Sequence, residues 1–296
     1  MTAFPFPGLN LAVTTPFDAD GRVDLHRLEA HLERYLEAGV DGVVLSSGTG
    51  MHVYLSREES DALVARGAKI LAGRARVIVQ TSALMVEDVV ARTRHAADCG
   101  ADAVMVLPPF FEGPTDDEGV LGFYAAAEGG LPIIGYNVPQ AVGVGISPAL
   151  LGRLAEIPNF CTVKDSSGDL AAQAELIRTG HPVMNGADPL SPYALFAGAS
   201  GLIWGGANFA PRLSVSLVRA ALERRWDDAR GIWRLLEPAM NLIWQGDYVQ
   251  SVYAAAEITG YGAGQPRRPL RALAADRLGP LRAALADLAP HEAAAS

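Results

Sequence analysis

Short apolar runs and amphipathic stretches alternate about eight times along this 296-residue chain. The spacing predicts strands over residues 9–14, 42–46, 76–81, 103–107, 132–136, 160–164, 182–184 and 201–204. These runs are continuously apolar rather than alternating, the pattern of strands covered on both faces. Helical periodicity lies between them. Over 24–38, Leu25, Leu28, Leu32, Tyr35 and Leu36 fall on one face, and 86–98 reads the same way. Ser56 with Glu59 forms a capping-box pattern, and Ser147 before Pro148 gives an N-cap followed by a first-turn proline. Gly39, Gly100 and Gly180 stand where helices must end in a left-handed residue.

Eight strand–helix units imply a parallel sheet, and eight closes it into a (β/α)₈ TIM barrel, an α/β fold. An open doubly wound sheet is the alternative, but no Gly-x-Gly-x-x-Gly turn follows an early strand. After Ala210 only helical patterns remain: one ending near Arg224, then 227–242, 248–259 and 270–285. The chain divides into a catalytic barrel over 1–220 and a C-terminal helical extension over 221–296, packed on it. The last residues, 291–296, read as a frayed tail.

Half of the residues are hydrophobic, so a large core is available. A formal net charge of −9 excludes attraction to nucleic acid or to an acidic membrane surface. No run approaches the length of a membrane span, and residues 1–8 lack the basic and apolar regions of a secretory signal. Cys99 and Cys161 form no CxxC, which fits a reduced cytoplasmic protein. The six histidines show no ligand spacing, so neither metal nor cofactor is expected.

Lys164 is one of two lysines, with Lys69, against 22 arginines. It ends the apolar run 159–163, where a charge is unwelcome. A desolvated primary amine can lose its proton and attack a ketone, which a guanidinium cannot do. Lys164 is therefore a candidate Schiff-base nucleophile; the alternative is a strand-end lysine reaching solvent. In a barrel of this class the site lies at the C-terminal strand ends. The second strand ends in Ser46-Ser47-Gly48-Thr49-Gly50, a small-residue turn able to present amides to an anion. The fifth ends in Tyr136, either a proton carrier or a packing residue at the rim. An anion cradle, a phenol and an amine together suit a 2-oxo acid.

These segments resemble the class I pyruvate-dependent aldolases, the family that includes dihydrodipicolinate synthase and N-acetylneuraminate lyase. The likeness covers roughly residues 9–285. Residues 12–17 resemble the opening strand, Gly48-Thr49-Gly50 the carboxylate loop, Tyr136-Asn137-Val138-Pro139 the catalytic Tyr-Asn-x-Pro, and Val163–Asp169 the Schiff-base strand and turn. The resemblance implies that the carboxylate rests on Thr49 and Gly50, that Lys164 forms the imine and that Tyr136 moves the proton. It also implies pyruvate and an aldehyde as reactants and a homotetramer.

Departures from the pattern narrow the substrate. Ala141 stands where synthases carry a carboxylate-binding Arg, Gly48 where many carry a relay hydroxyl, Phe110-Phe111 in place of Tyr-Tyr, and Met51 in place of Glu. Of the sialic acid lyases' polyol-binding residues only Asp188 survives, with Gly205 near their later Ser. Trp204, at the end of strand eight, either lines the pocket or packs between barrel and helices. The expected activity is that of a lyase cleaving or forming a 2-oxo-4-hydroxy acid with pyruvate. A 2-keto-3-deoxy sugar acid dehydratase comes next, then 4-hydroxy-tetrahydrodipicolinate synthase. The non-enzyme alternative is a keto-acid-binding pseudoenzyme.

Overall fold

The computed structural model describes residues 6–295; Met1–Pro5 and Ser296, on which part of the readings of both termini fall, lie outside the described residues. Eight parallel strands run in order around a closed barrel: β1 (Gly8–Ala12), β2 (Gly42–Leu45), β3 (Arg76–Gln80), β4 (Ala103–Val106), β5 (Ile133–Asn137), β6 (Phe160–Asp165), β7 (Val183–Asn185) and β8 (Gly201–Trp204). Pairing of Gly8 with Gly201 and of Leu11 with Trp204 closes β1 on β8, so the open-sheet alternative is set aside. The predicted strands all form, with ends displaced by at most two residues.

Alternation along each strand separates two cores. Phe6, Ala12, Val44, Ile78, Ala103, Met105, Ile134, Met184 and Ile203 fill the barrel interior. Leu9, Leu11, Val43, Leu45, Val77, Val79, Val104, Val106, Val163, Val183 and Leu202 face the surrounding helices instead. The one irregularity falls in β6. Ile133 pairs with Phe160 but Ile134 with Thr162, so Cys161 is an extra residue and the strand bulges there. Phe160 and Val163 thus both face the helices although three positions apart, and Cys161 packs toward the interior. Continued inward, this alternation turns Lys164 toward the barrel axis.

The helices of the barrel are α1 (Leu25–Glu37), α2 (Arg57–Leu71), α3 (Val86–Asp98), α4 (Asp117–Ala126), the short α5 (Pro139–Val142), α6 (Pro148–Leu154), α7 (Leu170–Arg178), α8 (Ser191–Ala197) and α9 (Pro211–Leu222). The Ser56–Glu59 capping box and the Ser147 cap are both present. Gly39, Gly100 and Gly180 adopt φ of +82°, +85° and +82°, as their helix ends require. Then follow α10 (Trp226–Trp244), α11 (Tyr248–Thr259) and α12 (Ala275–Ala294). Trp233, Leu236, Met240, Val252, Leu281 and Leu285 join the same apolar layer that covers the strands. Among the described residues no helix is long and apolar enough to cross a membrane.

The frayed-tail reading is corrected. The last helix begins later than 270 and runs on through Ala294, because Glu292 is buried and tied down. Its carboxylate accepts the Arg212 and Leu213 N–H groups at the start of α9, at 2.9 Å each, and a hydrogen bond from the Tyr261 hydroxyl. A glutamate 80 residues away in sequence thereby caps a helix that lacks a side-chain cap of its own. Glu292→Ala should lower the unfolding free energy by about 1–3 kcal/mol, with Glu292→Gln less damaging. Urea unfolding checks this, and an unchanged midpoint for Glu292→Ala would show that the C-terminal turn contributes nothing.

Candidate active site

At the C-terminal end of the barrel lies a cavity of about 600 Å³. Its walls come from the ends of β1, β2, β5, β6, β7 and β8 and from the helices beyond the barrel. Lys164 lines the cavity, only 5% exposed. Its side chain passes over Tyr136, with Nζ 4.1 Å from the ring centroid. Tyr136 is the last inward residue of β5, two after Ile134 of the interior core, so alternation alone aims it here. A Cβ at Gly186 would collide with Lys164 Cε and Ser166 Oγ, so only glycine leaves the path of the lysine clear.

The frame around these two residues is made of hydrogen bonds. Asn137 donates to Asp165 Oδ1 at 2.6 Å and accepts the Ile146 N–H, joining β5, β6 and the loop before α6. Asp165 also receives Ser167 Oγ and Gln173 Nε2, and burial raises its titration above the ordinary carboxylate range. These bonds hold the ends of β5 and β6 in register. Ser166 Oγ, beside the lysine, is buried and has no protein partner among the described residues.

The loop after β2 is shaped by its own hydrogen bonds. The Gly50 N–H donates to Ser47 Oγ at 3.1 Å, and its carbonyl accepts Thr15 Oγ1 at 2.7 Å. Gly50 is therefore consumed in shaping the turn and does not line the cavity, a correction to its assignment as a binding residue. Gly48 and Thr49 do line it, and among the described residues neither amide N–H meets a protein acceptor. Ala141, on α5, also lines the cavity, with Val138 and Gln140, and Gly205 lies just after β8.

Two further assignments change. Trp204 is fully buried in the layer between barrel and helices, because Ile203 beside it faces the interior and successive residues must alternate. The aromatic wall is supplied instead by Trp244, at the end of α10, stacked edge-on against Tyr248 at 6.0 Å. Asp188 is fully buried behind the wall. It accepts the Gly206 N–H at 2.6 Å and the Tyr248 hydroxyl at 2.9 Å, so it meets the cavity only through that tyrosine. Burial raises its titration to about 6, opposed by the bonds from Tyr248 and Gly206 and by the charge of Lys164.

Trp244, Tyr248 and Val249 all line the cavity and were not singled out from sequence. A signal was present: two aromatics four residues apart flank Gly246-Asp247, a break between helices with φ of +116° and +45°. Phe111, expected to pack against a neighbouring chain, is 68% exposed.

The fold and these strand-end residues define a class: parallel (β/α)₈ barrels carrying a buried lysine and a tyrosine on adjacent strands at the catalytic face. Within it, residues 5–288 match the dihydrodipicolinate synthetase family, and the chain belongs to that family. A 4-hydroxy-tetrahydrodipicolinate synthase of an Exiguobacterium species is 31% identical over 271 residues, 90% of this chain and 92% of that one. The structure of the 4-hydroxy-tetrahydrodipicolinate synthase of Methylacidiphilum fumariolicum superposes with a TM-score of 0.91 at 28% identity, covering 98% of this chain and 97% of the other. A dihydrodipicolinate synthase of Acinetobacter baumannii, solved with pyruvate, gives 0.89 at 31% identity, covering 95% and 98%.

The exchange of roles between the two tryptophans is testable. Trp204→Ala should cost about 3–5 kcal/mol of stability, as a core truncation does. Trp244→Ala should leave the unfolding midpoint nearly unchanged and alter preference among substrates. The reverse outcome in paired unfolding and specificity measurements would restore Trp204 to the pocket.

Proposed function

We propose that this protein is a class I lyase that forms an imine between Lys164 and pyruvate and makes or breaks the carbon–carbon bond of a 2-oxo-4-hydroxy acid. One observation carries the reading: a buried amine beside a phenol, facing two free amides across one cavity. The substrate carboxylate rests on the Gly48 and Thr49 N–H groups, which places its C2 carbonyl within reach of Lys164. Attack releases water and leaves a protonated imine. That imine accepts the electron pair of the C3–C4 bond as it breaks, giving an enamine, while Tyr136 takes the proton of the C4 hydroxyl. Protonation of the enamine and hydrolysis return pyruvate and the amine.

The second reactant is an aldehyde without a second carboxylate. Lys164 is the one cation among the described lining residues, and Ala141, Val138, Val249 and Trp244 form the rest of the wall near α5 and α10. With no guanidinium fork the site lacks the usual clamp for an amino-acid semialdehyde. The name of the synthase relatives therefore transfers less readily than their imine chemistry. A 2-keto-3-deoxy sugar acid dehydratase is the second reading. It is favoured by the outward turn of Trp204, which widens the pocket, and by Ser166, Ser167 and Gln140, which line it with polar groups. It uses the same imine and expels a hydroxyl instead of an aldehyde.

We also infer a homotetramer of cytoplasmic enzyme in which the exposed Phe111 packs against a neighbour. Phe111 has no hydroxyl, so that contact is apolar and carries no proton.

Borohydride added with pyruvate should reduce the imine irreversibly and add the adduct mass to the peptide containing Lys164. Lys164→Arg should show no adduct, since charge is kept and the nucleophile lost. An adduct confined to Lys69, or none, would overturn the assignment.

A further inference from the structure

A phenol ordinarily titrates near pH 10 and is a poor base at neutral pH unless its own proton has somewhere to go. The loop after β2 offers Tyr136 little help, because Gly48 has no side chain and open space surrounds the point where a Cβ would lie. Another hydroxyl enters the same cavity from outside the barrel. Tyr248, the first residue of α11, lines the cavity, and its hydroxyl lies beside Thr49 Oγ1. Gly205 makes this possible: a Cβ there would collide with the Tyr248 hydroxyl and stand 2.6 Å from Thr49 Oγ1.

Behind Tyr248 is Asp188. The phenol bonds to Oδ2 at 2.9 Å and lies 3.1 Å from Oδ1, while the Gly206 N–H fixes Oδ1 at 2.6 Å. Asp188 meets Tyr248 from α11 and lies within reach of the charge of Lys164 on β6, and Tyr248 and Tyr136 line the same cavity. The α10 residues packed behind Gly206, Met240 and Ile243, are apolar. A fully buried carboxylate is costly to keep charged, and packing alone would not call for one here.

We propose that Tyr248 and Asp188 form a proton relay lying within one chain, in which Tyr248 takes the proton released through Tyr136 and hands its own to Asp188. The proposal rests on the imine reading above. In the cleavage direction the proton of the C4 hydroxyl moves to the Tyr136 oxygen, and the Tyr136 proton moves to the Tyr248 oxygen. The Tyr248 proton then moves to the Asp188 carboxylate. Both phenols end neutral and Asp188 ends protonated; the electron pair of the broken bond stays in the enamine. When C3 is protonated the same proton returns along the same path. Tyr248 never has to ionise, which matters because burial and the Asp188 charge hold its titration well above 10. A carboxyl titrating at about 6 can both take and return a proton near neutrality.

The test uses pyruvate alone. An imine that interconverts with its enamine exchanges the pyruvate methyl protons with deuterium oxide, and proton NMR follows the rate across pH. Borohydride capture, run in parallel, counts the imine. The wild-type exchange should fall on the acid side of about pH 6, as Asp188 becomes protonated and ceases to accept. Tyr248→Phe, which keeps the ring in place, should lower the ratio of exchange to capture on the order of 10²-fold. Asp188→Asn should lower it too and abolish the acid limb. A ratio in Tyr248→Phe equal to wild type, or an acid limb that persists in Asp188→Asn, would overturn the relay while leaving the imine intact. Failure of wild-type protein to capture pyruvate would instead overturn the imine reading, and the relay with it.

Discussion

Closure of β1 on β8 constrains everything else in this molecule. Once the sheet is closed, each strand has one face toward the axis and one toward the helices, and no side chain has a third choice. Direction then follows from parity. Ile203 must point inward, so Trp204 cannot. Ile134 points inward, so Tyr136 does as well. In β6 parity counted from Phe160 would send Lys164 out among the helices, and the bulge at Cys161 reverses it. A single inserted residue therefore decides whether the amine meets the cavity or the apolar layer. Bulges are found beside active sites because they re-aim one side chain without disturbing the neighbouring strands.

The second constraint is that the barrel mouth is not a complete site. Strand ends and their loops supply the amine, one phenol and two unpartnered amides, but Trp244, Tyr248 and Val249 close the wall from α10 and α11. Those helices are held by the layer that covers the strands and, at the far end of the chain, by Glu292 on the first turn of α9. The appendage is thus a part of the site as well as a cover for it. Glycines mark where the two parts meet. Gly186 leaves room for Lys164, and Gly205 lets the Tyr248 hydroxyl approach Thr49; a methyl group at either would force one functional side chain away.

The barrel was legible because eight apolar runs and their helix caps are local signals, each contained in a few residues. Lys164, Tyr136, Gly48 and Thr49, which the fold brings to one cavity, could be nominated from strand-end position and residue type alone. What depends on contacts distant in sequence was not. The bulge at Cys161 is visible only when β5 is paired with β6. Tyr248 meets Asp188 across 60 residues, and Glu292 meets Arg212 across 80, with no spacing rule to announce either. Gly50 was misassigned because a small-residue turn does not reveal which amides are spent on its own hydrogen bonds and which remain free. Trp204 was left between two readings because a strand four residues long gives parity no reference until its neighbours are in place.

The central claim is that Lys164 and the 48–49 amides act on one molecule of 2-oxo acid. A crystal of the protein soaked with pyruvate and then reduced with borohydride tests it most directly. Continuous density from Lys164 Nζ to C2, with the carboxylate on the Gly48 and Thr49 N–H groups, is the result this account predicts. An unmodified Lys164, or a lysine adduct whose carboxylate lies elsewhere in the cavity, would contradict it.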